Sequence, residues 1–237
     1  MSVSSPPYQQ QNNTHQTSSY EYLSELVSKR SATIKYLCRA HEGNTHWFNT
    51  ILLTQQDLGA MYPNHKMMRR TSNFYTLGVS LGTILDITHP LDYLKALTQL
   101  LSEFDFYTND HSKQKMKNIF RKARKDDDNG AEGTEYTHLI VPHVPYELDY
   151  FETFFTLCDI MTEAYEKLLV NTDNSVCSQS YFELVLKCDA KFKKIVSLVT
   201  KELDALARNA IKEELKLIDP LSHSNKIPPI DFEGTEV

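Results

Sequence analysis

A chain of 237 residues, 41% of them hydrophobic, can bury a full core, with roughly 70–75% of its unfolded surface leaving water on folding. A formal net charge of −6 excludes a domain that coats nucleic acid with its whole surface, because that requires a basic excess against the phosphates. Cys38, Cys158, Cys177 and Cys188 form no CxxC pair and no zinc-spaced Cys/His cluster. Cys38, Cys158 and Cys188 read as small core hydrophobes in a reducing compartment.

Residues 1–19 form a Ser/Gln/Asn/Pro tract without an apolar h-region, so the sequence predicts a disordered tail and not a secretory signal. The first helix is expected after Ser18 or Ser19, either of which can cap it, and Leu23, Leu26, Val27, Ile34, Leu37 and Cys38 mark its buried face. Gly43-Asn44 stops it. The segment Thr45–Thr54 holds the lone tryptophan, Trp47, and its periodicity fits helix or strand. Thr54 and Asp57 have the spacing of a capping arrangement for a short helix that must end before Pro63.

From His65 to Ile87 the apolar residues keep helical spacing, and Gly78 and Gly82, one turn apart, predict close approach of another backbone. Thr88-His89-Pro90 opens a helix with Thr88 as its expected cap, carrying Leu91, Leu94, Leu97, Leu101 and Phe104 inward. Residues 107–136 break the pattern and read as a charged insertion or linker. Thr137–Val141 reads as an extended run. Pro142 and Pro145 then lead into a helix with an aromatic stripe that includes Phe151, Phe154, Phe155 and Tyr165. A helix at Gln179–Lys187 leads into the longest element, Asp189–Ile218, after which 219–237 reads as a flexible tail. The expected fold is all-α: a multi-helix bundle of about six helices in one domain, 20–218, with disordered termini.

Tyr20–Leu53, Leu77–Asp105, Glu147–Leu169 and Lys187–Lys216 resemble a family of fungal α-helical proteins with no established function. Together they cover about half of the chain. The resemblance implies no activity, cofactor or site residue.

The most polarised segment is Lys113, Lys115, Lys117, Arg121, Lys122, Arg124 and Lys125, followed by Asp126, Asp127 and Asp128. As a helix from Ser112 to Lys125 it places Met116, Ile119, Phe120 and Ala123 on one face and cations around the rest. That pattern suits anionic lipid or an acidic partner. His46, Trp47 and Asn49 are the best polar-plus-aromatic cluster, able to line a pocket or anchor a loop. The pairs His41/His46 and His138/His143 are each five apart, which misses helical metal spacing, and read as loop histidines. Arg69-Arg70-Thr71-Ser72 resembles a basophilic kinase site, with Thr71 on the core face.

No catalytic motif, metal site or cofactor loop is present in the sequence. The sequence therefore points to a non-enzymatic cytoplasmic adaptor or scaffold that acts through protein–protein contacts with an unknown partner. A peripheral membrane or trafficking factor that binds anionic lipid through 112–125 is the alternative. An all-α enzyme remains a third possibility, since bundle sites are assembled from distant helices.

Overall fold

The computed structural model describes residues 18–121 and 136–218, with side chains described outside 110–121. Among these residues six helices and one two-stranded hairpin form: α1 (Ser19–His41), β1 (His46–Trp47), β2 (Ile51–Leu52), α2 (Gln55–Met61), α3 (Asn64–Ile84), α4 (Pro90–Arg121), α5 (Tyr150–Lys167) and α6 (Gln179–Ile218). The chain is an all-α bundle. Each long helix packs chiefly on two others, in the closed order α3, α4, α6, α1, α5 and back to α3.

Local chemistry sets the element boundaries. Ser18 and Glu21 form a reciprocal capping box at 3.2 and 2.9 Å, and Thr54 with Asp57 forms another. Gly43 sits at φ +75°, where a Cβ would lie 2.6 Å from the Gln55 backbone nitrogen, so only glycine fits after α1. The undecided segment at Thr45–Thr54 is an antiparallel hairpin with Trp47 opposite Ile51. Phe48 (φ 46°) and Asn49 (φ 54°) occupy its left-handed turn. The Tyr36 hydroxyl clamps that turn, accepting from the Phe48 N–H at 2.6 Å and donating to the His46 carbonyl at 3.2 Å.

α4 begins one residue later than its expected cap suggested: its first backbone bond runs from the Tyr93 N–H to the His89 carbonyl. Its backbone stays helical through Arg121, beyond the break in apolar pattern at Tyr107, because propagation of an existing helix requires only one new bond per residue. The two expected C-terminal helices are one helix of 40 residues, about 60 Å long, because nothing between Lys187 and Asp189 breaks the backbone ladder.

The glycine pair lies on the helix that, among the described residues, approaches a neighbour most closely, α3 against α5. A Cβ on Gly78 would meet Ile160 and Leu157 side chains at 3.7 and 3.9 Å, and one on Gly82 would meet nothing within 4 Å. A cavity of about 360 Å³ lies beside both glycines.

The core contains Tyr62, Tyr93, Tyr150, Tyr165, Tyr181 and Phe192, all fully buried. Polar handles are spent internally: the Tyr93 hydroxyl donates to the Ala164 carbonyl at 2.8 Å, and Asn64 accepts from the Tyr150 N–H at 2.9 Å. The extended segment at Thr137–Val141 is tied down by Glu103 on α4, whose carboxylate accepts from the N–H groups of Thr137, His138 and Leu139 at 2.8–3.0 Å. Burial alone would raise the Glu103 carboxyl, but these bonds and Gln99 outweigh it and hold its pKa below the ordinary value.

Candidate functional site

Among the described residues, the expected cluster of His46, Trp47 and Asn49 does not form one site. Trp47 is 3% exposed, stacks on Tyr36 with centroids 5.4 Å apart, and donates from Nε1 to Asp204 at 2.7 Å. It pins the hairpin to α6, whereas His46 and Asn49 are exposed. Lys113, Lys115, Lys117 and Arg121 fall on helical backbone in α4, and their side chains lie outside the described residues. Lys122, Arg124 and Lys125 lie wholly outside them.

His41 corrects the loop reading. It is the last residue of α1 and only 2% exposed, because the helix includes it and turns the ring into the aromatic core. Nδ1 lies 2.7 Å from the Leu37 carbonyl, which accepts the ring proton and leaves Nε2 as the bare nitrogen, with no partner among the described residues. Phe154 lies 4.5 Å away, centroid to centroid, and Tyr62 5.6 Å away.

The side chains that do converge come from four helices and from the residue that ends α2. Arg70 on α3 and Glu202 on α6 form a two-pronged ion pair at 2.6 and 2.7 Å, each side chain about a quarter exposed (22% and 25%). Beneath it Tyr62 stacks on Tyr150 at 4.9 Å. Their hydroxyls sit near Glu202 and Arg70 respectively but complete no well-formed bond to either. Burial raises both phenols well above their ordinary pKa and lowers that of His41, so all three are neutral at pH 7. A sealed, neutral set of this kind does not supply an accessible base; it holds the floor of the surface above it.

That surface is a groove of about 400 Å³ between α3, α4 and α6. Met67, Phe74, Phe104, Ile195 and Leu198 give it an apolar lining, and Leu198 is 47% exposed. Lys66, Arg69, Arg70 and Lys194 surround this lining. Arg69 donates to the Thr108 carbonyl at 3.5 Å. Among the described lining residues Asp105 is the one carboxylate, and Lys191 at 2.8 Å and Lys194 at 3.5 Å already neutralise it. Glu202 likewise pairs Arg70, so among the described residues the positive excess here rests on Lys66 and on the two lysines that share Asp105. A groove of this chemistry can take an apolar side chain while its rim pairs with carboxylates.

Sequence reasoning missed Arg70, Glu202, Tyr62, Tyr150 and Lys194. No local spacing joins residues so far apart in the chain, and the Arg69-Arg70 doublet drew notice only as a kinase-like motif. Thr71 in that motif is 1% exposed and donates to the Met67 carbonyl at 3.0 Å, which confirms its core placement.

Among the described residues no three His, Cys, Asp or Glu side chains cluster as a metal site, and no helix is long and apolar enough to cross a membrane. All four cysteines are free thiols, with Cys158, Cys177 and Cys188 buried and Cys38 half-buried. The fold and groove thus define a helical bundle with an apolar surface cleft edged by Lys66 and Lys194. No family model, no curated protein and no solved structure matches this chain.

Proposed function

We propose that the protein is a non-enzymatic cytoplasmic adaptor that binds an acidic segment of another protein, with large apolar side chains, in the groove between α3, α4 and α6. The observation that carries this reading is the apolar lining formed by Met67, Phe104 and Leu198 with Lys66 on one side and Lys194 on the other. Charge complementarity selects the occupant, because a basic or neutral segment gains nothing from Lys66 and Lys194. The four free thiols support a reducing compartment. Membership of the fungal family that four stretches resemble is part of the proposal and adds no site residue to it.

A random peptide library displayed against the full chain tests this reading, with Lys66→Glu/Lys194→Glu as the counter-selected variant. Recovered peptides are expected to carry Asp or Glu around Leu or Phe and to lose binding to the variant. Peptides without acidic enrichment, or equal recovery on both proteins, would contradict it.

A second reading is supported by the unbroken backbone of α4, which carries Lys113, Lys117 and Arg121 in line at i, i+4 and i+8. In it the basic segment rests on anionic lipid. Flotation with anionic vesicles at physiological salt, lost when the seven cations from Lys113 to Lys125 become Gln, would support it. Binding indifferent to that change would remove it.

A further inference from the structure

On the other side of α6, away from the docking groove and independent of it, a cavity of about 240 Å³ lies between α1, α5 and α6. Ile34, the Tyr165 ring and Val196 give it apolar walls, and Arg30, Lys193 and Lys201 line it as well. Asp189, 5% exposed, is the carboxylate that fixes Arg30: it accepts from the guanidinium at 2.5 and 3.0 Å and from the Tyr165 hydroxyl at 2.9 Å. Two of the five guanidinium N–H groups are thereby used, and three remain for whatever enters the cavity.

Lys193, Ser197 and Lys201 follow one another at i, i+4 and i+8, so two ammonium groups and a hydroxyl share one face of α6. Neither lysine has a carboxylate partner among the described residues. Three cations around one cavity, with a single carboxylate already committed, leave a positive excess that an anion would relieve.

We propose that this cavity binds a small amphiphilic anion. Its oxyanion head, carboxylate or phosphate, sits between Lys193, Lys201 and the free edge of Arg30. Its apolar body lies against Ile34, Val196 and the Tyr165 ring. The volume falls below the ~300 Å³ at which drug-sized pockets begin, so the body is short.

Isothermal titration of the full chain with octanoate, octyl phosphate, octan-1-ol and inorganic phosphate tests the proposal, alongside K193Q/K201Q. Both lysines are exposed, so the variant leaves the core intact, and its thermal melt checks this. One-site binding of octanoate or octyl phosphate, weakened at least tenfold in the variant and much tighter than that of octanol or inorganic phosphate, is the expected result. Ser197→Leu, which extends a side chain into the cavity, should weaken the same probes. Octanol binding as well as octanoate, inorganic phosphate binding as well as octyl phosphate, or indifference to K193Q/K201Q would each overturn it. So would retention on phosphatidic acid vesicles without binding of either free amphiphile, which would place the anion on a membrane surface.

Discussion

α6 is held on its two sides by the same set of parts, assembled differently. Arg30 from α1 grips Asp189, and Arg70 from α3 grips Glu202, each pair forming two hydrogen bonds with tyrosine beside it. At Asp189 the set is closed: the carboxylate side chain is 7% exposed and the Tyr165 hydroxyl bonds to it. At Glu202 the set is open: the carboxylate is 25% exposed and the Tyr62 and Tyr150 hydroxyls are left without a well-formed bond. The closed side serves as a structural clamp. The open side adjoins the groove between α3, α4 and α6, and its two phenol hydroxyls are buried without a partner among the described residues. Buried polar groups stabilise only when satisfied, so the two sides should respond in opposite ways to the same deletions.

The largest expected effect is Asp189→Asn, which strands the Arg30 charge beside a deeply buried amide and should cost about 3 kcal/mol in denaturant unfolding. Glu202→Gln, at a pair that water reaches, should cost about half as much, roughly 1.5 kcal/mol. Equal losses would erase the distinction between the two sides. Tyr165→Phe should cost about 1 kcal/mol, whereas Tyr62→Phe and Tyr150→Phe should be neutral or slightly stabilising, because they delete hydroxyls that have no partner to lose. A loss at Tyr150 matching that at Tyr165 would show that the open side is satisfied after all.

The smallest effect is a pH dependence. Burial holds the His41 pKa below its ordinary 6.5, so the unfolded chain takes up a proton that the native state refuses. Stability should therefore fall as pH drops below 6.5 towards the lowered native value. The part of this loss due to His41 should vanish in His41→Phe. Identical pH profiles for the two proteins would contradict the buried, neutral assignment.

Most of the fold could be read from the sequence because its determinants are local. The Thr54/Asp57 spacing marked α2, the Ser18 cap marked α1, and the stripe including Phe154 and Tyr165 marked the buried face of α5. The hairpin at Trp47 was ambiguous, since two-residue strands are too short for any periodicity to register. The glycine pair pointed to the close α3–α5 packing, but not to the cavity that remains beside Gly78 and Gly82. The groove was not legible at all. Lys66, Phe104 and Leu198 belong to three helices, and what unites them is the tertiary packing order.

The most direct test of the docking groove is fluorescence anisotropy of one labelled acidic peptide bearing Leu and Phe, titrated with the full chain and with Lys66→Glu/Lys194→Glu. Saturable binding to the natural sequence, weakened at least tenfold by charge reversal and weakened further by added salt, is the expected result. Equal binding to both proteins, or none to either, would contradict the assignment of this groove as the site where the protein meets its partner.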